Sequence, residues 1–235
     1  MSYRVTQESI LSVRADAVCA SVEIALNLSD TPVCRAIAAA GGEALRGALE
    51  RSHRFLPVGS AVEAERGELP FAHFIITAAP VWVSGKSNEL LILHRCYQHV
   101  FALAEALGCR SIALPFLSAL YYRFPQDEAV KIAFAEADRC ALEVVFVADT
   151  PELFALSARP YRKPAIVSYV GYYRDHAIFE LDNGLFARVD LRQEKVDVET
   201  IPYFEACYRT GNNPLQPPLP RKEIARLRRI YEEND

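Results

Sequence analysis

The chain predicts an α/β fold of three layers, α/β/α, built on a mixed sheet and followed by a small carboxy-terminal α+β module containing a hairpin. Three observations predict it. Short apolar runs alternate with stretches of helical periodicity from Arg4 to Ala148. Ser111–Pro115 is a run of the kind found in strands covered on both faces, and Asp182-Asn183-Gly184 separates two segments that alternate apolar and polar residues. A chain of 235 residues, 51% hydrophobic and 24% charged, can bury one sizeable core and still supply a second module. The expected division is a first domain over 1–157, a linker over 158–164 and a module over 165–235.

In order, Arg4–Thr6 and Ala15–Ala20 read as strands, Thr31–Arg51 as an interrupted helix, and Ser60–Ala64 and His73–Thr77 as further strands. The next helix starts near Ser87, whose hydroxyl can cap free amides, carries Glu89 in its first turn and ends at Gly108. Leu90, Leu93, Tyr97, Val100, Ala104 and Leu107 recur at helical spacing and predict a buried face. After the strand Ser111–Pro115, Phe116–Phe124 is a loop and Pro125 opens another helix. Asp127 and Glu128 suit its dipole, and Val130, Ala133, Phe134 and Ala137 form its inward stripe. Leu142–Ala148 is the last strand of the domain, followed by a short helix over Pro151–Ser157. Loops between a strand's carboxyl end and a helix's amino end are where α/β sheets bind anionic ligands, which makes Phe116–Phe124 a candidate binding segment.

Ala158–Pro164, with three basic residues and two prolines, reads as the linker. Beyond it, His176–Leu181 and Leu185–Leu191 are the hairpin arms, with Phe179 and Leu181 on one face. Ile201–Tyr208 reads as a short helix stopped near Gly211, and Asn212-Asn213-Pro214 with Pro217–Pro220 as a stiff connector. The last helix has an apolar stripe of Ile224, Leu227, Ile230 and Tyr231 surrounded by Arg221, Lys222, Arg226, Arg228 and Arg229. It reads as a packed helix with solvated charges, the alternative being a docking helix for an acidic protein partner. Glu232 and Glu233 stand four residues after Arg228 and Arg229, at pairing distance.

A net charge of −4 gives no general attraction to nucleic acid or to acidic membranes. No apolar run is long enough to span a bilayer, and the amino terminus MSYRVTQES lacks the regions of a signal peptide, so a cytoplasmic location is expected. Cys19, Cys34, Cys96, Cys109, Cys140 and Cys207 show no C-x-x-C pair and no zinc-ligand spacing, so buried reduced thiols and no metal are expected. Cys34 alone falls in the first turn of a helix at a candidate pocket, where a dipole lowers a thiol pKa and Asp30 opposes it. His94 and His99 fall on different helix faces, His73 opens a strand, and His53 and His176 are expected in solvent. No Ser-His-Asp order and no paired carboxylates emerge, so no catalytic residue and no cofactor is assigned.

Three segments nevertheless carry a resemblance. Ala15-Asp16-Ala17-Val18 looks like a VDAI strand start; Val33, Ala36-Ile37 and Ala39-Ala40-Gly41 look like a V-x-x-AIHRAAG helix; Ser118-Ala119-Leu120-Tyr121-Tyr122-Arg123-Phe124-Pro125 lies over an S-T-G-I-[YF]-G-[YF]-P loop. In this order they resemble the macro domain family over roughly the first two-thirds of the chain. The resemblance implies the same three-layer fold and a ligand such as ADP-ribose or a related nucleotide, free or carried on a protein. It places candidate ligand residues at Ser9, Glu23, Asp30, Thr31, Val33, Ser118, Ala119, Leu120, Tyr121, Tyr122, Arg123 and Phe124, with Tyr122 or Phe124 stacking a base or ribose.

The departures from the family's pattern point to a changed pocket. Asp30-Thr31-Pro32 stands where the first loop would be glycine-rich, adding a carboxylate and removing an amide donor. Leu120 and Arg123 hold the second loop's glycine positions, although Arg123 can offer a fork to phosphate. Ser9 replaces an adenine-contacting aspartate, and Ala20 and Glu23 replace an asparagine pair. The reading is a nucleotide-metabolite binding module with a degenerate pocket and no hydrolase activity. The alternatives are an interaction or regulatory scaffold that binds no nucleotide and, on weaker grounds, a hydrolase of ADP-ribosyl groups.

Overall fold

The computed structural model describes residues 3–23, 27–52, 55–83, 88–120, 122–159, 164–173, 176–182, 186–190, 199–201 and 219–233. The chain divides into two compact units, Met1–Trp82 with Leu91–Tyr161, and Val83–Leu90 with Arg162–Asp235.

The first unit holds a six-stranded sheet in the order β1-β6-β5-β2-β4-β3. Its strands are β1 (Tyr3–Thr6), β2 (Ala17–Val22), β3 (Ala61–Ala64), β4 (His73–Ala78), β5 (Ser111–Pro115) and β6 (Glu143–Val147). All pairings are parallel except β3 with β4, so the sheet is mixed, as expected. β2, β4, β5 and β6 are almost wholly buried, which is why they read as continuous apolar runs.

Strand alternation assigns the two helical layers. Val18, Ala20, Val22, Phe74, Ile76, Val145 and Val147 share a core with Val33, Ile37, Leu45 and Leu49 of α1 (Pro32–Ser52). Phe146, of opposite parity, meets Tyr97 of α2 (Glu89–Ala106), Phe134 of α3 (Gln126–Ala137) and Phe116 in the loop between β5 and α3. The fully buried ones among them, Phe146, Tyr97 and Phe116, each contribute on the order of 1.5–3 kcal/mol relative to exposure. The interruption expected within α1 falls at Gly42, whose φ is 62°. Gly67 lies so close to this kink that a Cβ there would stand 2.6 Å from the Gly41 carbonyl oxygen. A fourth helix, α4 (Pro151–Ser157), begins at Thr150, whose hydroxyl accepts the Leu153 amide.

The second unit contains an antiparallel sheet in the order β10-β9-β8-β7: β7 (Ile166–Tyr173), β8 (His176–Leu181), β9 (Phe186–Asp190) and β10 (Glu199–Ile201). The expected hairpin arms pair as β8 and β9, while the turn residues Asn183 and Gly184 lie outside the described residues. On β8, Ala177, Phe179 and Leu181 are buried together. In the last helix, α5 (Arg221–Glu233), Leu227 and Tyr231 are buried. The Tyr231 hydroxyl donates to the Pro164 carbonyl at 2.7 Å, and Arg228 donates to that of Ile166 at 2.6 Å. Arg228 also lies 3.4 Å from Glu232.

Some expectations need correction. Ile201 closes β10 opposite Phe186 instead of opening a helix, because a β-branched residue beside a free strand finds its hydrogen bonds there; 202–208 and the connector 211–218 lie outside the described residues. Pro125 precedes α3 rather than forming its first residue, and Leu107 follows the last residue of α2. Ser87, the expected cap, lies outside the described residues, as do His53 and Cys207. His176 is not in open solvent: it is two-thirds buried, 3.7 Å from Asp190 across the β8–β9 ladder.

Candidate functional site at the carboxyl edge of the sheet

Parallel register brings Thr6, Val147 and Pro115, the last residues of β1, β6 and β5, side by side, and β2 runs on beyond β5. Two loops leave this edge. The first follows β2 and turns back on it: Leu28 bridges Val22, and the Ser29 amide donates to the Ser21 carbonyl at 2.9 Å. The Ser21 hydroxyl donates to that of Ser29, also at 2.9 Å. Thr31 then caps α1, its hydroxyl accepting the Cys34 amide at 3.2 Å and its carbonyl the Arg35 amide at 2.8 Å. Pro32 has no amide proton. The Val33 amide donates to Asp149 Oδ1 at 2.9 Å, and exposed Asp30 pairs with Arg35.

The second loop joins β5 to α3. The Leu117 amide donates to the Tyr97 hydroxyl at 2.8 Å and that of Ala119 to the Phe116 carbonyl at 3.3 Å. The Ser118 hydroxyl donates to the Pro80 carbonyl at 2.8 Å. Ser118 and Arg123 both have positive φ, 62° and 56°. Arg123 therefore keeps a glycine-like backbone while carrying a long side chain, which is exposed. The buried hydroxyls of Tyr122 and Ser29 are 2.7 Å apart and tie the two loops together. Phe124, also buried, packs edge-on against Trp82 with ring centroids 4.8 Å apart.

Burial perturbs two titratable groups at this edge. Asp149 is held above the usual carboxylate range, chiefly because burial penalises its charge, with the Val33 amide pulling the other way. Its Oδ2 is buried and has no hydrogen-bond partner among the described residues. Burial likewise pushes the Cys34 thiol up, outweighing its bonds to Thr31 and Ser21, so the helix start does not activate it. Deeper in the sheet, burial raises Cys19 and Cys96, the latter to about 11.

Most residues anticipated from the sequence lie in these two loops. Asp30 and Thr31 are in the first, with Val33 in the first turn of α1; Ser118, Ala119, half-buried Leu120, Tyr122, Arg123 and Phe124 are in the second. Tyr121 lies outside the described residues. Glu23 is half-buried beyond the end of β2, and Ser9 is exposed after β1, its carbonyl accepting the Ser12 amide. Stacking of a base on Tyr122 or Phe124 meets an obstacle, since both rings are already packed. Asp149 was not anticipated; its one signal is an acidic residue directly after the apolar strand, at the edge where loops converge.

The amino ends of β2 and β5 form a separate polar cleft of about 460 Å³, lined by Ser12, Arg14, Asp16, Pro70 and Ser111 among others. There Asp16 accepts the amides of Arg110 and Ser111 at 2.7 and 3.1 Å, which accounts for its carboxylate structurally. Among the described residues no cluster of His, Cys, Asp and Glu is placed to hold a metal, and no helix is long and apolar enough to cross a membrane.

Comparison with known proteins agrees with the fold of the first unit. The family model "Macro domain" matches residues 25–133. A macro domain-containing protein of Streptomyces griseus is 33% identical over 150 residues, covering 57% of this chain and 84% of that protein. An O-acetyl-ADP-ribose deacetylase of Escherichia fergusonii is 40% identical over 97 residues, covering 40% of this chain and 55% of the enzyme. The chain spans about half the length of that enzyme and of several other curated relatives. Among solved structures, the Oceanobacillus iheyensis macrodomain with MES bound aligns with a TM-score of 0.61 at 20% identity, over 66% of this chain and 87% of that one. The Trypanosoma brucei macrodomain in complex with ADP-ribose aligns at 0.57 and 21% identity, over 66% and 67%.

Proposed function

The chain belongs to the macro domain family, and we propose that it is a nucleotide-metabolite binding module whose diphosphate cradle is built over by its own side chains. Relatives are named for O-acetyl-ADP-ribose or solved with ADP-ribose, so the ligand class is ADP-ribose-like. Affinity for ADP-ribose itself is low, and ADP-ribose is not removed from proteins.

One observation carries this reading: several amides of the two loops already have partners within the protein. Pro32 lacks a donor, Cys34 donates to Thr31, Val33 to Asp149, Leu117 to Tyr97 and Ala119 to Phe116. A buried diphosphate oxygen left without a donor costs on the order of 1–3 kcal/mol, and about 1.4 kcal/mol is tenfold in affinity. Arg123 offsets part of that loss as an exposed fork. The hydrolase reading is weakened by Ala20 and Glu23, which leave no asparagine pair to position a ribose or a water.

A second reading, an interaction scaffold that binds no nucleotide, is favoured by the Ser29–Tyr122 bond between the loops. Calorimetry of the full chain with ADP-ribose separates the two. Weak binding that strengthens in Leu120→Gly with Asp30→Gly supports the module; no binding in either protein supports the scaffold. Tight binding by the unmodified chain, abolished by Arg123→Ala, overturns the built-over cradle. Incubation with a mono-ADP-ribosylated protein is expected to leave the label in place; release dependent on Glu23 or Asp30 restores the hydrolase.

A further inference from the structure

At eight residues β7 is the longest strand of the second unit's sheet, and it stands at an edge, bonded to β8 alone. Its partners on β8 are Leu181 for Ile166, Glu180 for Ser168, Phe179 for Tyr169, Ile178 for Gly171, Ala177 for Tyr172 and His176 for Tyr173. The register skips Val167 and Val170. Every residue of β8 has its partner without them.

The side chains follow this register. Ile166 is buried opposite Leu181, and Tyr169 meets Phe179 edge-on with ring centroids 5.6 Å apart. On the other face the Ser168 hydroxyl donates to Glu180 at 2.8 Å. Ile166, Tyr169 and Tyr172 thus share a face at every third position, whereas a regular strand returns to a face at every second. The two skipped valines are 59% and 42% exposed. Without them the strand would read Ile-Ser-Tyr-Gly-Tyr-Tyr and lie against His176–Leu181 in plain alternation, with every present pair kept.

A free strand edge offers amides and carbonyls that a further strand can bond, provided their spacing is regular. The sheet's other edge strand, β10, is only three residues long. β7 has the length to receive a strand, but its two β-bulges confine regular spacing to Ser168–Tyr169 and Gly171–Tyr173. Valine, β-branched, suits the extended backbone of such positions, yet no pairing in the sheet requires it there.

We propose that Val167 and Val170 guard this sheet: the paired bulges keep a second copy of the chain from adding its own β7 across the free edge. Two regular copies of the strand, related by a two-fold axis, would meet there as antiparallel neighbours. The bulges put their amides and carbonyls out of step.

Sedimentation equilibrium on the full chain tests this with three proteins: wild type, a variant lacking both Val167 and Val170, and Val167→Thr combined with Val170→Thr, which keeps both bulges. The deletion variant is expected to unfold cooperatively in urea and to self-associate at least about tenfold more tightly than wild type. Its amide exchange is expected to slow across the remaining β7 residues as concentration rises. The threonine pair is expected to associate as wild type does, within about twofold. A folded deletion variant that associates no more tightly than wild type, or associates without protecting β7, overturns the proposal. A deletion variant that does not fold cooperatively also overturns it, because the register would then depend on the valines. A threonine pair that associates less than wild type would make the valines an adhesive surface instead of a guard.

Discussion

The hydroxyls of Ser29 and Tyr122, 93 residues apart in sequence, meet at 2.7 Å and join the two loops at the carboxyl edge of the sheet. Ser29 also receives the Ser21 hydroxyl, so the contact extends a buried polar chain from the end of β2 to the second loop. Such bonds hold position more than they add stability, because folding exchanges them for bonds to water.

Tyr122→Phe removes the inter-loop bond and leaves Ser29 with Ser21. Urea unfolding is expected to show a loss of about 1 kcal/mol, and amide exchange is expected to quicken in both loops together. Faster exchange confined to the second loop would mean that the bond does not couple them.

Arg123 occupies left-handed backbone at φ 56°, where a side chain is strained and glycine is not. Arg123→Gly is expected to raise stability by up to about 1 kcal/mol, the relief being partly cancelled by the freer unfolded chain. Arg123→Val, β-branched, is expected to lower it by more than about 1 kcal/mol. Equal unfolding midpoints for all three proteins would contradict the strain.

The strands of the first unit were readable from the sequence because a sheet buried on both faces demands uninterrupted apolar runs, and Ala17–Val22, His73–Ala78 and Ser111–Pro115 supply them. The hairpin arms were readable from their alternation about a turn sequence, although Ile178 and Phe186, on the face opposite Phe179, are buried as well. β7 was missed: Ile166–Tyr173 carries register shifts after Ile166 and Tyr169, which break the alternation that would have announced it. The loop residues of the site were readable by motif spacing, but their partners were not. That Asp149 holds Val33, across 116 residues, depends on the parallel register of β6, β5 and β2, which no local pattern encodes.

Gly67 combines a positive φ of 57° with a Cβ position 2.6 Å from the Gly41 oxygen and 2.8 Å from the Leu45 nitrogen, both backbone atoms that cannot rotate away. Gly67→Ala is expected to cost about 2–4 kcal/mol in chemical unfolding, from strain and clash together. A loss below about 0.5 kcal/mol would show that the kink at Gly42 yields easily.

The two buttressing carboxylates of the first unit should respond to pH in opposite senses. The Arg110 amide holds Asp16 below its usual 3.8, so its contribution is present above that value and disappears as pH falls through the depressed one. Burial holds Asp149 above 3.8, so the folded protein binds its proton more readily than the unfolded chain. Its contribution is complete below 3.8 and is lost as pH rises through the raised value. Asp149→Asn is therefore expected to be at least as stable as wild type at pH 7, with its advantage shrinking as pH falls through the raised value and the wild-type carboxyl takes up its proton. Asp16→Asn is expected to lose stability at pH 7, by under about 1 kcal/mol because water screens the site, with the deficit shrinking in acid. Urea midpoints measured from acid to neutral pH decide both signs, and an Asp149→Asn protein destabilised at neutral pH but not in acid would mean that the carboxylate is held there by a partner stronger than the Val33 amide.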